Sequence, residues 1–291
     1  MQQIYARNVS EALWIGVQAL DSKGRWIQTR NGRALEFETP VCTTFTNSRE
    51  RVLFYPLRDA NPFFHLFESL WMLNGSNDVE WISEFNGRIS QYSDDGVTFH
   101  GAYGYRWRHW FGYDQLERAL ERLIAYPNDR RTVVSMWDPA TDLVTSNTER
   151  DLPCNTQIFF GVREGLLDMT VINRSNDMIW GAYGANAVHM SVLLEYMAAR
   201  LELGVGTYYQ FSNNLHIYED VFEKIKGIIW HAEVDPYLTI GEGKLSYNPP
   251  PLVDDQTTFD TELTTWINKH HLQQDNEYYR TPFNNSFFDK T

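Results

Sequence analysis

The sequence predicts a mixed α/β (α+β) domain, built on a large mixed β-sheet with helices packed against it. Three observations carry that expectation. β-Branched and aromatic runs at 156–162 and 166–173 are joined at Arg163-Glu164-Gly165, a hairpin signal. A Met-, Leu- and Ala-rich amphipathic stretch from about Val188 to Leu203 follows them and reads as one long helix. Hydrophobic residues make up 43% and aromatic residues 15% of the 291 positions, enough to bury a substantial core and to argue against disorder.

The remaining elements follow in chain order. Ala12, Leu13, Ile15, Val17, Ala19 and Leu20 are spaced for a helix over 8–20, with Ser10 as its N-cap. Residues 33–55 contain extended segments. Residues 60–73, ANPFFHLFESLWML, read as a buried helix with a proline in its first turn. Residues 131–137, RTVVSMW, form a strand stopped by Asp138-Pro139. Thr207 to Phe211 is a further strand, and from Asp235 onward prolines and short polar runs predict long loops and short strands. The chain shows no internal repeat, low-complexity stretch or Pro/Gly/Ser linker, so residues 1–291 read as one domain.

Composition excludes several function classes. A net charge of −13 argues against a nucleic-acid partner, because phosphate neutralisation supplies most of that affinity. No run of about eighteen apolar residues occurs, so no membrane span is expected. The N-terminal stretch carries Glu11 and lacks both an apolar run and a small-residue cleavage site, and a cytoplasmic protein is expected. Two cysteines, Cys42 and Cys154, are too few for a disulfide framework or a thiolate metal cage. Arginine is nevertheless concentrated at Arg106/Arg108 and Arg130/Arg131, a distribution suited to holding a small anion.

Certain residues stand out chemically. Cys154 sits in Asp-Leu-Pro-Cys-Asn before a strand, and cationic neighbours would favour its thiolate; a buried structural cysteine is the plain alternative. Glu68 lies inside an apolar helix, where an unpaired carboxylate is costly. Arg130 and Arg131 enter a strand, where neighbours point to opposite faces, so they grip one ligand together only from a turn; a solvated pair is the alternative. Arg174 beside Ser175 suits a phosphate, or is part of a polar turn. Gly181–Ala187 resembles a glycine loop but has neither the Rossmann spacing nor a Lys-Ser/Thr ending. His216 and Tyr218 alternate onto one face of an extended segment, as ligand contacts or as a core pair.

Taken in order, Glu68, Tyr103-Gly104 with Trp107-Arg108, Asp129-Arg130-Arg131, Trp137-Asp138-Pro139, Pro153-Cys154, Arg174-Ser175 with Asp177, and His216 with Tyr218 resemble the thymidylate synthase and deoxycytidylate hydroxymethylase superfamily. The match runs from about residue 60 to residue 220. The resemblance implies that Cys154 attacks C6 of a pyrimidine nucleoside monophosphate, and that C5 then takes the one-carbon unit of 5,10-methylenetetrahydrofolate. It implies Glu68 as a proton relay through ordered water, with Tyr103 and Asp177 as further catalytic residues. Arg174 and Ser175 would hold the 5′-phosphate with an N-terminal arginine, Arg25 or Arg30. Arg130 and Arg131 would reach in from the other subunit of a homodimer. His216 and Tyr218 would bind the sugar, and Asp177, Ile89 and Trp107 the folate. No metal is implied.

Three departures bear on the product. Ordinary synthases carry histidine after the nucleophile, where this chain has Asn155. They have tryptophan in the segment corresponding to Arg88-Ile89-Ser90-Gln91-Tyr92-Ser93, which has none here, and they end in a short apolar tail rather than Phe287-Phe288-Asp289-Lys290-Thr291. Each departure predicts a wetter or differently sealed site, in which water rather than hydride captures the activated one-carbon unit. Hydroxymethylation is therefore expected, with synthase-type methylation and a non-catalytic nucleotide-binding homologue as alternatives. Counting from Arg174 puts Ala185 at the base-reading position, so Asn186 can serve only after a one-residue insertion. The resemblance places dUMP first, with dCMP and CMP as alternatives.

Overall fold

The computed structural model describes residues 1–144, 149–228, 235, 237–238, 249–253 and 256–272. Strand β1 (Gln2–Ala6) leads into helix α1 (Val9–Lys23), then β2 (Gly24–Thr29), β3 (Gly32–Phe37) and β4 (Val41–Phe45). Five helices and one strand follow: α2 (Pro62–Leu73), α3 (Val79–Ser83), α4 (Tyr103–Arg108), α5 (Gln115–Ala125), β5 (Val133–Ser135) and α6 (Pro139–Asp142). Next come β6 (Asn155–Arg163), β7 (Leu166–Asn173), β8 (Asn176–Asp177), α7 (Asn186–Arg200), β9 (Gly204–Ser212), β10 (Leu215–Tyr218), α8 (Glu219–Ile225) and α9 (Phe259–Leu272).

The predicted hairpin is β6–β7. Its two turn residues, Glu164 (φ 51°) and Gly165 (φ 78°), both adopt the left-handed conformation that matches the twist of the flanking strands. The large mixed sheet has six strands in the order β1-β4-β9-β7-β6-β5, with β1–β4 and β7–β9 parallel. A second sheet, β2-β3-β10-β8, lies alongside it. The chain steps from one sheet to the other between β7 and β8 and again between β9 and β10. Those two breaks carry Arg174-Ser175 and Asn213-Asn214, so side chains from non-consecutive strands meet there.

Helix α7 is the axis of the core, with every residue from Asn186 to Ala198 buried. A helix apolar on all sides belongs in an interior. It opens directly from a widened π-type coil over Met178–Ala185, kinked at Gly184. A π turn holds one residue more than an α turn.

Several boundaries depart from expectation. Ser10 does not cap α1; the Asn8 side chain accepts from the backbone N–H of Ser10 and Glu11 at 3.0 Å each. The strand at 131–137 shortens to Val133–Ser135. Helix α9 lies where loops and short strands were expected: Phe259, Leu263, Trp266 and Ile267 are buried at helical spacing, and Trp266 stacks 5.7 Å from Phe67. The last nineteen residues, 273–291, whose tail entered the sealing argument, lie outside the described residues.

One fully buried ion pair ties α4 to α6. Arg106 donates to both carboxylate oxygens of Asp142 (2.5 and 2.8 Å) and to the carbonyls of His100 and Met136. Removing one partner strands a buried charge. Asp142→Ala should therefore lower unfolding free energy by about 3–5 kcal/mol, read as a fall in the urea midpoint.

Candidate active site

Two helices build the centre of the site. The Asn61 side chain caps α2 by accepting from Phe64 N (3.0 Å), and Pro62 occupies the first turn, as predicted. Spacing of three residues then puts His65 and Glu68 on one face, and the same spacing on α7 aligns Asn186 with His189. Where α2 packs on α7, Nε2 of His189 lies 2.8 Å from Oε2 of Glu68. Burial opposes ionisation of Glu68, yet His189 and His65 outweigh it and hold the carboxyl below its ordinary range. Burial, helped by His189, pushes His65 down to about 4.

A cavity of about 280 Å³ opens over this pair, near the lower end of the range for ligand sites. Glu68, His189, Asn186, Tyr103, Cys154 and Ile89 all line it. Tyr103 begins α4, which lies on α2 because residue 104 is glycine: a Cβ there would sit 1.9 Å from the Met72 carbonyl oxygen. Burial drives the Tyr103 hydroxyl far above its usual range, Cys154 adds to the effect, and Asn155 partly offsets it. Burial also pushes the Cys154 thiol up; Arg174 pulls it back, while Asp151 and Asp177 push it further. Arg174 braces the loop that carries Cys154, with Nε on Pro153 O (2.9 Å), Nη2 on Leu152 O (3.1 Å) and its backbone N–H on Cys154 O (2.9 Å).

Two chains of hydrogen bonds fix the polar groups around the cavity. In the first, Gln210 Nε2 donates to the Ala182 carbonyl, leaving its Oε1 to accept from Asn176 Nδ2 (2.8 Å). Asn176 Oδ1 then accepts from Asn186 Nδ2 (3.1 Å). Gly181 leaves room for this, since a Cβ there would meet Asn176 Oδ1 at 2.4 Å. In the second, the Glu36 carboxylate takes Arg25 Nε and Nη2 (3.0 and 2.8 Å) and Asn214 Nδ2. Asn214 Oδ1 consequently accepts from Nδ1 of His216 (2.7 Å), which leaves Nε2 as that ring's free acceptor. Ser175 Oγ stands 3.5 Å from the same Asn214 oxygen. Tyr218 packs 5.4 Å from His216 on the same strand face, its hydroxyl accepting from Asn31.

Some singled-out residues lie elsewhere. Trp107 is 1% exposed, donates to the Met136 sulfur and does not line the cavity; Trp71, Phe99 and the exposed Tyr92 do. Its helix turns it into the α4–α5 core, so the expected folate contact is withdrawn. Asp177 accepts from the backbone N–H of Ile179 (2.8 Å) and Trp180 (2.7 Å), capping the π-type coil from outside the cavity lining. Arg25 is held by Glu36, and Arg30 reaches the Glu149 carbonyl. Arg130 and Arg131 are exposed and do not line their own chain's cavity. Sequence reasoning missed His65 and His189. Their spacing from Glu68 and Asn186 was the available signal.

Two sheets and a buried helix, with a thiol, a half-buried carboxylate and a side-chain amide facing one cavity, define an α/β protein built for nucleophilic chemistry on a small polar ligand. The sequence matches the family model described as thymidylate synthase over residues 17–275, and the chain belongs to that family. It is 52% identical over 226 residues to a deoxyuridylate hydroxymethyltransferase of Pseudomonas phage M6, covering 77% of this chain and 64% of that one. It is 37% identical over 236 residues to the deoxyuridylate hydroxymethyltransferase of Bacillus phage SP01 (75% and 61% covered). A thymidylate synthase of Symbiobacterium thermophilum is 32% identical over 268 residues (86% and 89%). The matches thus span less than two thirds of the length of either phage relative.

His65 makes stability pH-dependent. Its unfolded imidazole protonates below 6.5 and its folded one only near 4, so its contribution is complete above 6.5 and falls as pH drops towards 4. Between pH 7 and 5 the wild type should lose roughly 2 kcal/mol from this group. In His65→Leu, urea titrations at the two pH values should show that loss removed.

Proposed function

We propose that this protein hydroxymethylates C5 of deoxyuridine monophosphate, with 5,10-methylenetetrahydrofolate as one-carbon donor, as a single catalytic domain working in a homodimer. The observation that carries this reading is the locked orientation of Asn186. A carbonyl can only accept, so Ala182 sets Gln210, Gln210 sets Asn176, and Asn176 claims one N–H of Asn186. Asn186 keeps its other N–H and its Oδ1 for a ligand. That pattern matches the O4 acceptor and N3–H donor of uracil. Pairing with cytosine requires the amide to turn over, which would set two acceptor oxygens against each other at Asn176.

The named relatives in the two phages support the same substrate and product. So does Asn155, fully buried with neither amide atom paired among the described residues, a place suited to ordered water. The cavity edge carries Ile89, Tyr92 and Arg150, a more open and polar rim than tryptophan would give.

The chemistry follows from the residues. Cys154 Sγ adds to C6 of the pyrimidine, making C5 a carbon nucleophile. The bound folate supplies a one-carbon unit at the formaldehyde oxidation level. Tyr103, across from the thiol, serves removal of the C5 proton, and Glu68 handles protons on the pyrimidine side through water. His216 accepts from the sugar hydroxyl through Nε2, with Tyr218 beside it. Arg174 and Ser175 hold the 5′-phosphate, Arg25 joining them. Asp177 and Ile89 serve the folate.

The homodimer is supported by an uncovered sheet face. Phe159 is 37% exposed, and half-buried Ile172, Tyr209 and Phe211 lie on the same side of the six-stranded sheet. A two-fold contact there would carry the exposed Arg130 and Arg131 towards the partner's phosphate site.

Mass analysis after incubation with the folate and an equimolar mix of dUMP, dCMP, UMP and CMP should find hydroxymethyl-dUMP; methylated dUMP with dihydrofolate would overturn the reading. Gln210→Met, which releases the lock, should narrow the kcat/KM preference for dUMP over dCMP roughly tenfold. Inactive Cys154→Ser and Arg131→Ala chains, mixed and reassociated, should recover about a quarter of wild-type activity, since each heterodimer then holds one intact site. No recovery would mean that Arg131 serves its own chain.

A further inference from the structure

The histidine against Glu68 does something the mechanism above leaves unassigned. Nε2 of His189 is 2.8 Å from the carboxylate, an ion-pair distance without hydrogen-bond alignment, and it has no hydrogen-bond partner among the described residues. It is 5% exposed, yet it lines the cavity beside Asn186 and Glu68. Behind it, His65 packs edge-on with ring centroids 6.2 Å apart, and Nδ1 of His65 is also buried without a partner. Building two imidazoles against one carboxylate in a helix–helix interface is costly unless the group performs work.

We propose that His189 is a positioning residue that holds Glu68 ionised and aims it at the water that ends the reaction, and so sets the hydroxymethyl product over the methyl one. This rests on the hydroxymethylase reading. Glu68 takes a proton from water, and the water oxygen forms a bond to the exocyclic CH₂ on C5. The electron pair of the C5=CH₂ bond moves into the C5–C4–O4 enolate. The enolate then re-forms C5=C6 and expels the Cys154 thiolate. The proton rests on Glu68, nothing is oxidised or reduced, and tetrahydrofolate leaves unchanged in oxidation state. Hydride transfer, the competing outcome, needs no base at that point, so loss of Glu68 basicity tilts the partition towards methyl.

A metal ion is the other use of such a cluster, because the donor atoms of His65, Glu68 and His189 lie within 4.8 Å of one another. The spacing argues against it. Two ligands on one tetrahedral ion with bonds of about 2.0–2.1 Å stand roughly 3.3 Å apart, whereas His189 and Glu68 are at 2.8 Å, a direct contact with no room for an ion between them. The charged and titratable groups facing the pair are His65 and, behind it, Arg58, with Tyr103, Cys154, Asp151 and Arg150 across the cavity.

The experiment compares wild type, His189→Leu and His189→Gln for hydroxymethyl-dUMP, methylated dUMP and dihydrofolate across pH. His189→Leu should keep the KM for dUMP, lose roughly tenfold or more in kcat for hydroxymethylation and divert product towards methyl. Its acid limb should move to higher pH, because Glu68 loses the neighbour that holds its proton off. His189→Gln keeps an N–H donor beside the carboxylate without the imidazole, and should recover part of kcat without restoring the limb. Unchanged partition and acid limb in both variants, in an enzyme whose wild type makes hydroxymethyl-dUMP, would overturn this inference and leave the proposed function standing. Wild type that makes only methylated dUMP would overturn both. Stoichiometric zinc in the purified protein, with activity lost on chelation, would overturn the positioning role in favour of a metal site.

Discussion

The burial of α7 governs this structure. A helix with thirteen consecutive buried residues must find internal partners for the polar side chains it carries; Ser191 bonds back to Val188 O, and the others reach out to other parts of the chain. Asn186 bonds to Asn176 on β8, His189 contacts Glu68 on α2, Glu195 pairs with Arg51 and accepts from Leu252 N, and Tyr196 joins Arg108 on α4 to Asp260 on α9. Satisfying one helix thus fixes the positions of α2, α4, α9 and the second sheet together. The cavity forms at the N-terminal end of this helix, where Asn186 and His189 line it.

The polar chains around the cavity share one property: each ends on a group that cannot change role. A backbone carbonyl fixes the Gln210–Asn176–Asn186 chain, and a carboxylate fixes the Glu36–Asn214–His216 chain. Amides and imidazoles are ambiguous donors and acceptors in isolation. Anchored to a pure acceptor they become unambiguous, and the site is set before any ligand arrives. Such preorganisation spares the binding step the cost of ordering these groups. The glycines at 104 and 181 belong to the same scheme, since each marks a place where a Cβ would hold apart two groups the site needs close.

Arg174 and Arg25 show how a cation serves a site before its ligand does. Arg174 spends its N–H groups on the carbonyls of Leu152 and Pro153, shaping the loop that presents Cys154, and Arg25 rests on Glu36. Both lie at the breaks between the sheets or beside them, where the strands part and the backbone turns outward. An incoming phosphate in the proposed site would have to compete with those internal acceptors.

Much of the fold was legible because its signals are local. The β6–β7 hairpin, the proline-led α2 and the long α7 were readable from spacing and turn chemistry within short windows. Glu68 and Cys154 were legible as exceptions to their surroundings. Helix α9 was missed although its apolar spacing is regular, because nearby prolines drew the reading towards loops. Trp107 was misplaced for a different reason: family position does not say which way a side chain turns on a short helix, and α4 turns this one into the core.

The sequence by itself determined the family, the central helices and hairpin and the residue types available for chemistry, because these depend on periodicity and motif order along the chain. Only the tertiary structure decided which way the Asn186 amide faces, which nitrogen of His216 is free and that His189 stands against Glu68. Those facts depend on contacts between residues tens of positions apart in the chain, such as the Asn176–Gln210 hydrogen bond and the close approach of His189 to Glu68. Their partners are selected by packing, and no local pattern encodes them.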